Sequence, residues 1–344
     1  MDDIEQRLTQ YVNDNIFRLI TELRGIEERV DRKQRETDAV IQRIAQVLQE
    51  FDRNFDARVG NGISNRLYQP NLEVMKYADH GKFMDYSTCS ASDFFHPRYA
   101  EICAMLKTTP VLHRKHWEWV YIIHKLLTSD IVGEGRRGIV FGVGQEKLPA
   151  LFASLGASIV ATDAPPNHEA ADGWDRTNQY STSRDALRDA QIIPDALFDE
   201  RVTHRFCDMN AIDPELKDFD FTWSSCCFEH LGSLEAGVQF VINSVEKVLK
   251  IGGVACHTTE FNLSSDSDTV TSGDTVIYRR RDMLEMIDRL RQRGHEVEPF
   301  ILAPDSHFMD FHVDVKPYTL RPHLKLQLQN YVCTSVGLLV RRGK

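Results

Sequence analysis

The middle of this chain carries a short series of residues whose types and order suit the binding of a nucleoside and the movement of a proton. Gly142, Val143 and Gly144 follow the apolar run GIVF. Two glycines let the backbone turn sharply and come close to a ligand, and a helix starting near Glu146 would aim its amide groups at that ligand. Asp163 ends the next apolar run, SIVATD, about 20 residues further on, where a carboxylate can accept hydrogen bonds from both ribose hydroxyls. Asp208, followed by Met209, closes RVTHRFCD and could reach an adenine amino group. Glu229 and His230 come after FDFTWSS, and His257 and Glu260 lie on and just beyond GVACHTT. An imidazole takes a proton near neutral pH, so His230, beside Glu229, is the first candidate for a general base or for the group orienting one. His257 reads more readily as a satisfied histidine inside a strand, while Glu260 at the strand's carboxyl end is better placed to face a cleft.

The elements that must hold these residues follow from the pattern after Gly133. Short runs rich in β-branched residues alternate with helix-like segments, KLPALFASLG, SLEAGVQFVINSVEKVLK and RRDMLEMIDRLRQRG, and the runs EVEPFIL and YVCTSVGLLVRR close the chain. This alternation predicts an α/β fold, a doubly wound and mostly parallel sheet with helices on both faces and ligands beyond the carboxyl ends of its strands. Two kinds of cofactor use such an order of strand, GxG, helix, strand and acid: nicotinamide or flavin dinucleotides, and S-adenosylmethionine. The dinucleotide fingerprint has a third glycine where this chain has Lys147, which weighs against an NAD(P)-dependent oxidoreductase.

From about Gly133 to the C-terminus the order of motifs resembles the class I S-adenosylmethionine-dependent methyltransferases. FEHLGS is similar to that family's EH(V/L) element after the fourth strand, and LKIGG to its LKPGG turn before the fifth. The resemblance implies a seven-stranded Rossmann-like sheet, S-adenosyl-L-methionine as cofactor, and cofactor contacts from Gly142, Val143, Gly144, Asp163, Asp208, Met209 and Ser225. Beside that resemblance, the residues' own chemistry and positions make His230, with Glu229 or Glu260, the catalytic candidates, and His257 a further one on the same strand. Two positions depart from the family pattern. The acid that often precedes the glycine loop is Val140, and the loop's third glycine is Glu146, so Gln145 or a backbone carbonyl would have to replace the contact to the methionine amino group. A non-catalytic assembly protein with a degenerate nucleotide fold is the alternative from another class.

An acceptor is harder to read. SASDFFHPRY, with His96 and Tyr99, and GWDRTNQYS, with Trp174 and Gln179, combine aromatic platforms with hydrogen-bonding groups, which suits a polyhydroxylated acceptor such as a carbohydrate or glycosylated small molecule. His307, Asp310, His312 and Asp314 alternate as on a strand. With Glu229 or Glu260 they could hold a divalent metal, although the spacing is not that of a metal site.

Ahead of this unit, residues 1–52 form one helical pattern. Leu19, Leu23, Ile26 and Val30, then Val40, Ile44 and Val47, step by three and four, with Lys33 and Thr37 interrupting the line. That is the seam of a coiled coil, and it predicts a homo-oligomer. Residues 53–131 show no clean period and read as a helical or loop cap on the substrate side; 132–344 read as the cofactor-binding domain. The 344 residues carry 41 basic against 51 acidic groups, a net charge of −10. With a pI of about 5.7 and no basic block, nucleic acid is not an expected partner. Seven cysteines at irregular spacing, an acidic start MDDIEQR and no long apolar run predict a reduced, cytoplasmic protein with no membrane span.

Overall fold

The computed structural model describes residues 2–55, 82–165, 180–181, 183–320 and 322–344, with the side chains of the N-terminal helix described over 6–50. Trp174 and Gln179 therefore lie outside the described residues. The chain divides into two compact units, one ending at Gly60 and the other beginning at Asn61.

The first unit is a single helix, α1 (Asp2–Phe55), of 54 residues. It has no proline and one glycine, and surface pairs one turn apart, such as Arg18 with Glu22 at 3.3 Å, support it. At about 1.5 Å per residue it extends about 80 Å. Its predicted seam is uncovered in the single chain: Leu19, Leu23, Ile26 and Val30 are 58%, 61%, 48% and 60% exposed.

The second unit is built on a nine-stranded sheet among the described residues. Its strands are β1 (Arg137–Phe141), β2 (Ser158–Asp163), β3 (Val202–Phe206), β4 (Phe219–Ser225), β5 (Leu249–Asn262), β6 (Glu296–Val297), β7 (Val313–Asp314), β8 (Lys325–Leu328) and β9 (Tyr331–Arg341). The order is β3-β2-β1-β4-β5-β9-β8-β7, with β6 on β9. β3, β2, β1, β4 and β5 pair in parallel, and β9 runs antiparallel to β5 and β8. Two of the nine, β6 and β7, have only two residues each, so the expected seven-stranded Rossmann-like sheet is present with two short additions. Of EVEPFIL only Glu296–Val297 pairs as a strand, and β8 replaces it as the second closing strand.

Alternation along β1 explains the two-sided core. Val140 faces one apolar layer with helix α4 (Arg114–Thr128) and helix α5 (Leu148–Ser154), while Ile139 and Phe141 face another with α7 (Leu234–Asn243) and α8 (Arg280–Gln292). α6 (Asp195–Arg201) leads into β3 and buries Phe198 in the first layer.

The segment expected as a cap is part of this core from Lys82 onward. It contains α2 (Ala91–Phe94), α3 (Pro97–Met105) and α4, and α4 buries Trp117, Val120, Tyr121, Ile122, Ile123 and Leu126 against the sheet. Tyr99 is fully buried, its hydroxyl 3.1 Å from His116 Nδ1. His96 caps α3 by accepting the Arg98 amide at 3.1 Å and stacks on Phe83. Both were expected at an acceptor site; a core position and a cap occupy them instead.

Candidate active site

The strand order reverses between β1 and β4, and in open parallel sheets ligands sit beyond the carboxyl ends of strands at such a point. A cavity of about 580 Å³ lies there. Gly142, Val143 and Gly144 line it together with Asp163, Asp208, Met209 and Ser225, and so do Glu229, His230 and Glu260. Ten of the residues singled out in the sequence thus share one cavity, because each stands in a loop or strand end after β1 to β5.

The glycine loop is fixed from both sides. Gly142 has φ +64°, and a Cβ there would come within 2.6 Å of Cys227 Sγ, so only glycine fits. Asp163 accepts three backbone amides, from Gly144 (3.0 Å), Ser181 (3.0 Å) and Ala164 (2.9 Å). Burial holds its carboxyl above the usual range, against these three donors. The same carboxylate that faces the cavity therefore also latches the glycine loop to β2.

Beneath the cavity is a buried charge network that the sequence pattern did not reveal. Glu118 of α4 is fully buried and accepts from Ser225 Oγ (3.0 Å), Thr258 Oγ1 (3.2 Å), Cys226 Sγ (3.0 Å) and Ser335 Oγ. Lys115 Nζ lies 3.2 Å and Arg114 Nη1 3.4 Å from its carboxylate. Arg114 also pairs with Glu260. Burial works to raise the Glu118 pKa, but Lys115 and Arg114 outweigh it and hold it at about 2. Burial pushes Glu260 the other way, above its usual value, with Arg114 opposing and Glu229 adding to the rise. Glu229 accepts the Thr259 hydroxyl at 3.0 Å through Oε2. Its Oε1, and Oε2 of Glu260, are buried without a donor among the described residues.

His230 ends a 3-10 turn, Phe228–His230, that follows β4. Its Nδ1 is 2.7 Å from the carbonyl oxygen of Asp274 and 3.2 Å from Thr275 Oγ1. A carbonyl can only accept, so Nδ1 carries the proton and Nε2 is the acceptor nitrogen of the neutral ring. His257 is corrected: it is fully buried between Ser224 (2.8 Å) and Ser244 (2.9 Å), does not line the cavity, and burial lowers its pKa to about 3. The C-terminal set does not gather into a metal site either. Asp310 caps the amides of Ala91 (2.8 Å) and His307 (3.0 Å), and Asp314 pairs with His323 at 2.7 Å. Cys226, Glu229 and Glu260 do place ligand atoms within 4.8 Å of one another. Cys226 donates to Glu118 and Arg114 pairs with Oε1 of Glu260, while Glu229 Oε1 and Glu260 Oε2 have no donor among the described residues.

Sequence reasoning missed the contribution of α4 to this wall: His113, Arg114, Lys115 and Trp119 all line the cavity. The available signal was the apolar spacing Trp117, Val120 and Tyr121, at i, i+3 and i+4, which is helical once the flanking charges are set aside.

The chain thus has a doubly wound, Rossmann-like α/β sheet, with a ligand-sized cavity at its topological switch point. No family model and no curated protein matches it. Among solved structures it is similar to phosphoethanolamine N-methyltransferase 2 of Haemonchus contortus in complex with S-adenosyl-L-methionine, at 14% identity over 74% of this chain and 58% of that one, TM-score 0.39. It is similar to a TehB-like SAM-dependent methyltransferase from Corynebacterium glutamicum (14% identity, 66% and 96% covered, TM-score 0.33). The CcbJ methyltransferase from Streptomyces caelestis is a third such structure (11% identity, 64% and 94% covered, TM-score 0.36). Likenesses of this size leave the function to be argued from the chain's own residues.

Proposed function

We propose that this chain is an S-adenosylmethionine-dependent methyltransferase acting on a hydroxyl of a carbohydrate or glycosylated small molecule. The observation that carries the reading is the single cavity in which the glycine loop, Asp163, Asp208 and Met209 meet His230, Glu229 and Glu260. Two features favour it over a dinucleotide-dependent oxidoreductase. Lys147 stands where the third fingerprint glycine would be and pairs with Asp189 at 2.7 Å, and the antiparallel β9 interrupts the parallel order that a dinucleotide fold continues.

In this reading Asp163 and Asp208 hold the nucleoside, with Met209 against the adenine. S-adenosylmethionine, when bound, supplies a methyl group already activated by its sulfonium. The protein has then to align the acceptor oxygen and take its proton. Glu229 Oε1 and Glu260 Oε2 offer acceptors for acceptor hydroxyls, Trp119 offers an aromatic wall, and His230 Nε2 takes the proton.

Calorimetric titration tests the reading. Saturable binding of S-adenosylhomocysteine, with none of NAD(P)H, is expected, and Asp163→Ala should weaken it at least tenfold, since the ribose contact and the latch on Gly144 go together. Unchanged affinity in Asp163→Ala would remove the assigned contact. Binding of no cofactor would leave the assembly-protein reading standing.

The uncovered seam of α1 supports self-association through a coiled coil. Full-length protein should run as an oligomer in light scattering, and deletion of residues 1–51 should reduce its size while the remaining chain still unfolds cooperatively. A monomeric full-length chain would contradict this. Among the described residues no helix is long and apolar enough to cross a membrane.

A further inference from the structure

Two buried carboxyl groups from different elements meet in the cavity wall. Glu229, in the turn after β4, is 1% exposed and Glu260, near the end of β5, is 4% exposed; both line the cavity. Glu229 Oε2 accepts the Thr259 hydroxyl and Glu260 Oε1 pairs with Arg114. Their second oxygens, Glu229 Oε1 and Glu260 Oε2, are buried with no donor among the described residues. Such oxygens are costly to leave bare. A carboxylate oxygen of each residue lies within 4.8 Å of the other's. A charge-assisted N–H···O contact is about 2.8 Å long, so one nitrogen can bridge oxygens up to about 5.5 Å apart.

Charge decides which kind of ligand fits. Arg114 and Lys115 are the cations of this cluster, and Glu118, Glu229 and Glu260 are the carboxyl groups around them. When ionised, the three acids exceed the two cations by one negative charge. Glu146, which also feels Lys115, is held up at about 8 by burial and is largely neutral at pH 7. Burial holds the Glu260 carboxyl above its usual range against Arg114, and Glu229 adds to the rise, as expected where one positive charge is missing.

A monovalent cation neutralises the cluster, whereas a divalent metal overshoots it. A metal is also short of ligands here. Burial pushes the Cys226 thiol well above its usual range and it donates to Glu118 at 3.0 Å, so it offers no thiolate. Two bare oxygens remain, where magnesium or calcium takes about six or more. A hydroxyl brings one hydrogen and no charge and serves one of the two oxygens; an ammonium brings three hydrogens and one positive charge and serves both.

We propose that Glu229 and Glu260 form a subsite for an ammonium group carried by the methyl acceptor, so that the acceptor is an amino sugar or a sugar-bearing amine rather than a neutral carbohydrate. This assignment rests on the methyltransferase reading and deepens it by naming the acceptor's charge. Held as an ammonium, the nitrogen has no lone pair to attack the methyl group, so transfer goes to the hydroxyl whose proton His230 takes.

The probes are glucosamine and glucose, which has a hydroxyl where glucosamine has its ammonium. Saturation-transfer NMR measures the affinity of each for the full-length wild type, Glu229→Gln and Glu260→Gln at pH 7 and about 0.15 M NaCl, with and without S-adenosylhomocysteine. Circular dichroism checks the fold of both variants, and the comparison of the two sugars on the wild type needs no variant. The wild type is expected to bind glucosamine at least tenfold more tightly than glucose; each substitution should weaken glucosamine about tenfold and leave glucose within about twofold. Equal affinity of the wild type for the two sugars, or no binding of glucosamine, overturns the proposal, and so does a preference that survives both substitutions. Displacement of glucosamine from the wild type by an equimolar amount of MgCl₂ would make the pair a metal site and overturns it as well. If S-adenosylhomocysteine binds and glucosamine does not, the subsite alone fails. If S-adenosylhomocysteine does not bind the folded wild type, the methyltransferase reading fails, while a glucosamine preference lost in both variants keeps the ammonium subsite.

Discussion

Replacing His230 with alanine is expected to lower turnover by about 10²-fold or more while leaving the affinity for S-adenosylhomocysteine nearly unchanged. The expectation comes from how the ring is held. The Asp274 carbonyl, 2.7 Å from Nδ1, fixes the proton on that nitrogen, so the neutral ring presents Nε2 as a base rather than as a donor. Methyl transfer to a hydroxyl needs the proton removed as the new bond forms, and water is a poor substitute in a cavity walled by buried side chains. The cofactor's assigned contacts come from Gly142, Gly144, Asp163 and Asp208, which stand in other loops than the turn Phe228–His230. Binding and chemistry should therefore separate. Transfer of labelled methyl under single-turnover conditions measures the chemical step, and wild-type rates in His230→Ala would reduce His230 to part of the wall.

The residues that proved legible in the sequence are those governed by local rules. Asp163 and Asp208 stand at strand ends that alternation predicts, and Gly142 is where a sharp turn meets the Cys227 side chain. Both helices α7 and α8 fall within segments that their apolar spacing marked. What could not be read is whatever depends on long-range pairing. Glu118 lies 107 residues before Ser225 and 217 before Ser335, and its partners are brought together only by the stacking of α4 on β4, β5 and β9. In the sequence, RKHWEWV looks like a polar, aromatic-rich stretch, because the three charged residues turned toward the sheet are indistinguishable from solvent-facing ones. His257 sits where the favoured strand reading put it and not with the catalytic candidates: alternation turns it to the α7 side, away from Glu260, where Ser224 and Ser244 satisfy it. His96 and Tyr99 were misplaced, since an aromatic and polar mixture describes a capped helix packed in a core as well as it describes a binding surface.

Glu118 itself supports the second large effect. Glu118→Ala is expected to destabilise the fold by about 3–5 kcal/mol, the usual cost of removing one partner from a buried ion pair. Arg114 and Lys115 would stay buried with less counter-charge, and the hydroxyls of Ser225, Thr258 and Ser335 would lose their shared acceptor. Because those donors come from α4, β4, β5 and β9, the loss should also loosen the cavity floor and weaken cofactor binding. Glu118→Gln, which keeps the shape and one acceptor oxygen, should cost less, about 1.5–3 kcal/mol. Urea unfolding at pH 7 measures both, and a loss under 1 kcal/mol for alanine would show that solvent replaces the carboxylate there. The pH dependence gives an independent check. Glu118 is held at about 2 against a usual 4.5, so its contribution is in place above pH 4.5 and is withdrawn as the pH falls toward 2. Glu260, held above its usual value, works in the opposite sense: stability falls as the pH rises past 4.5 and its carboxyl is forced to ionise beside Glu229. Removing Glu118 should therefore flatten the acid limb of the wild-type stability profile between pH 4.5 and 2 and leave the fall above it, whereas an acid limb unchanged in Glu118→Ala would place the titrating group elsewhere.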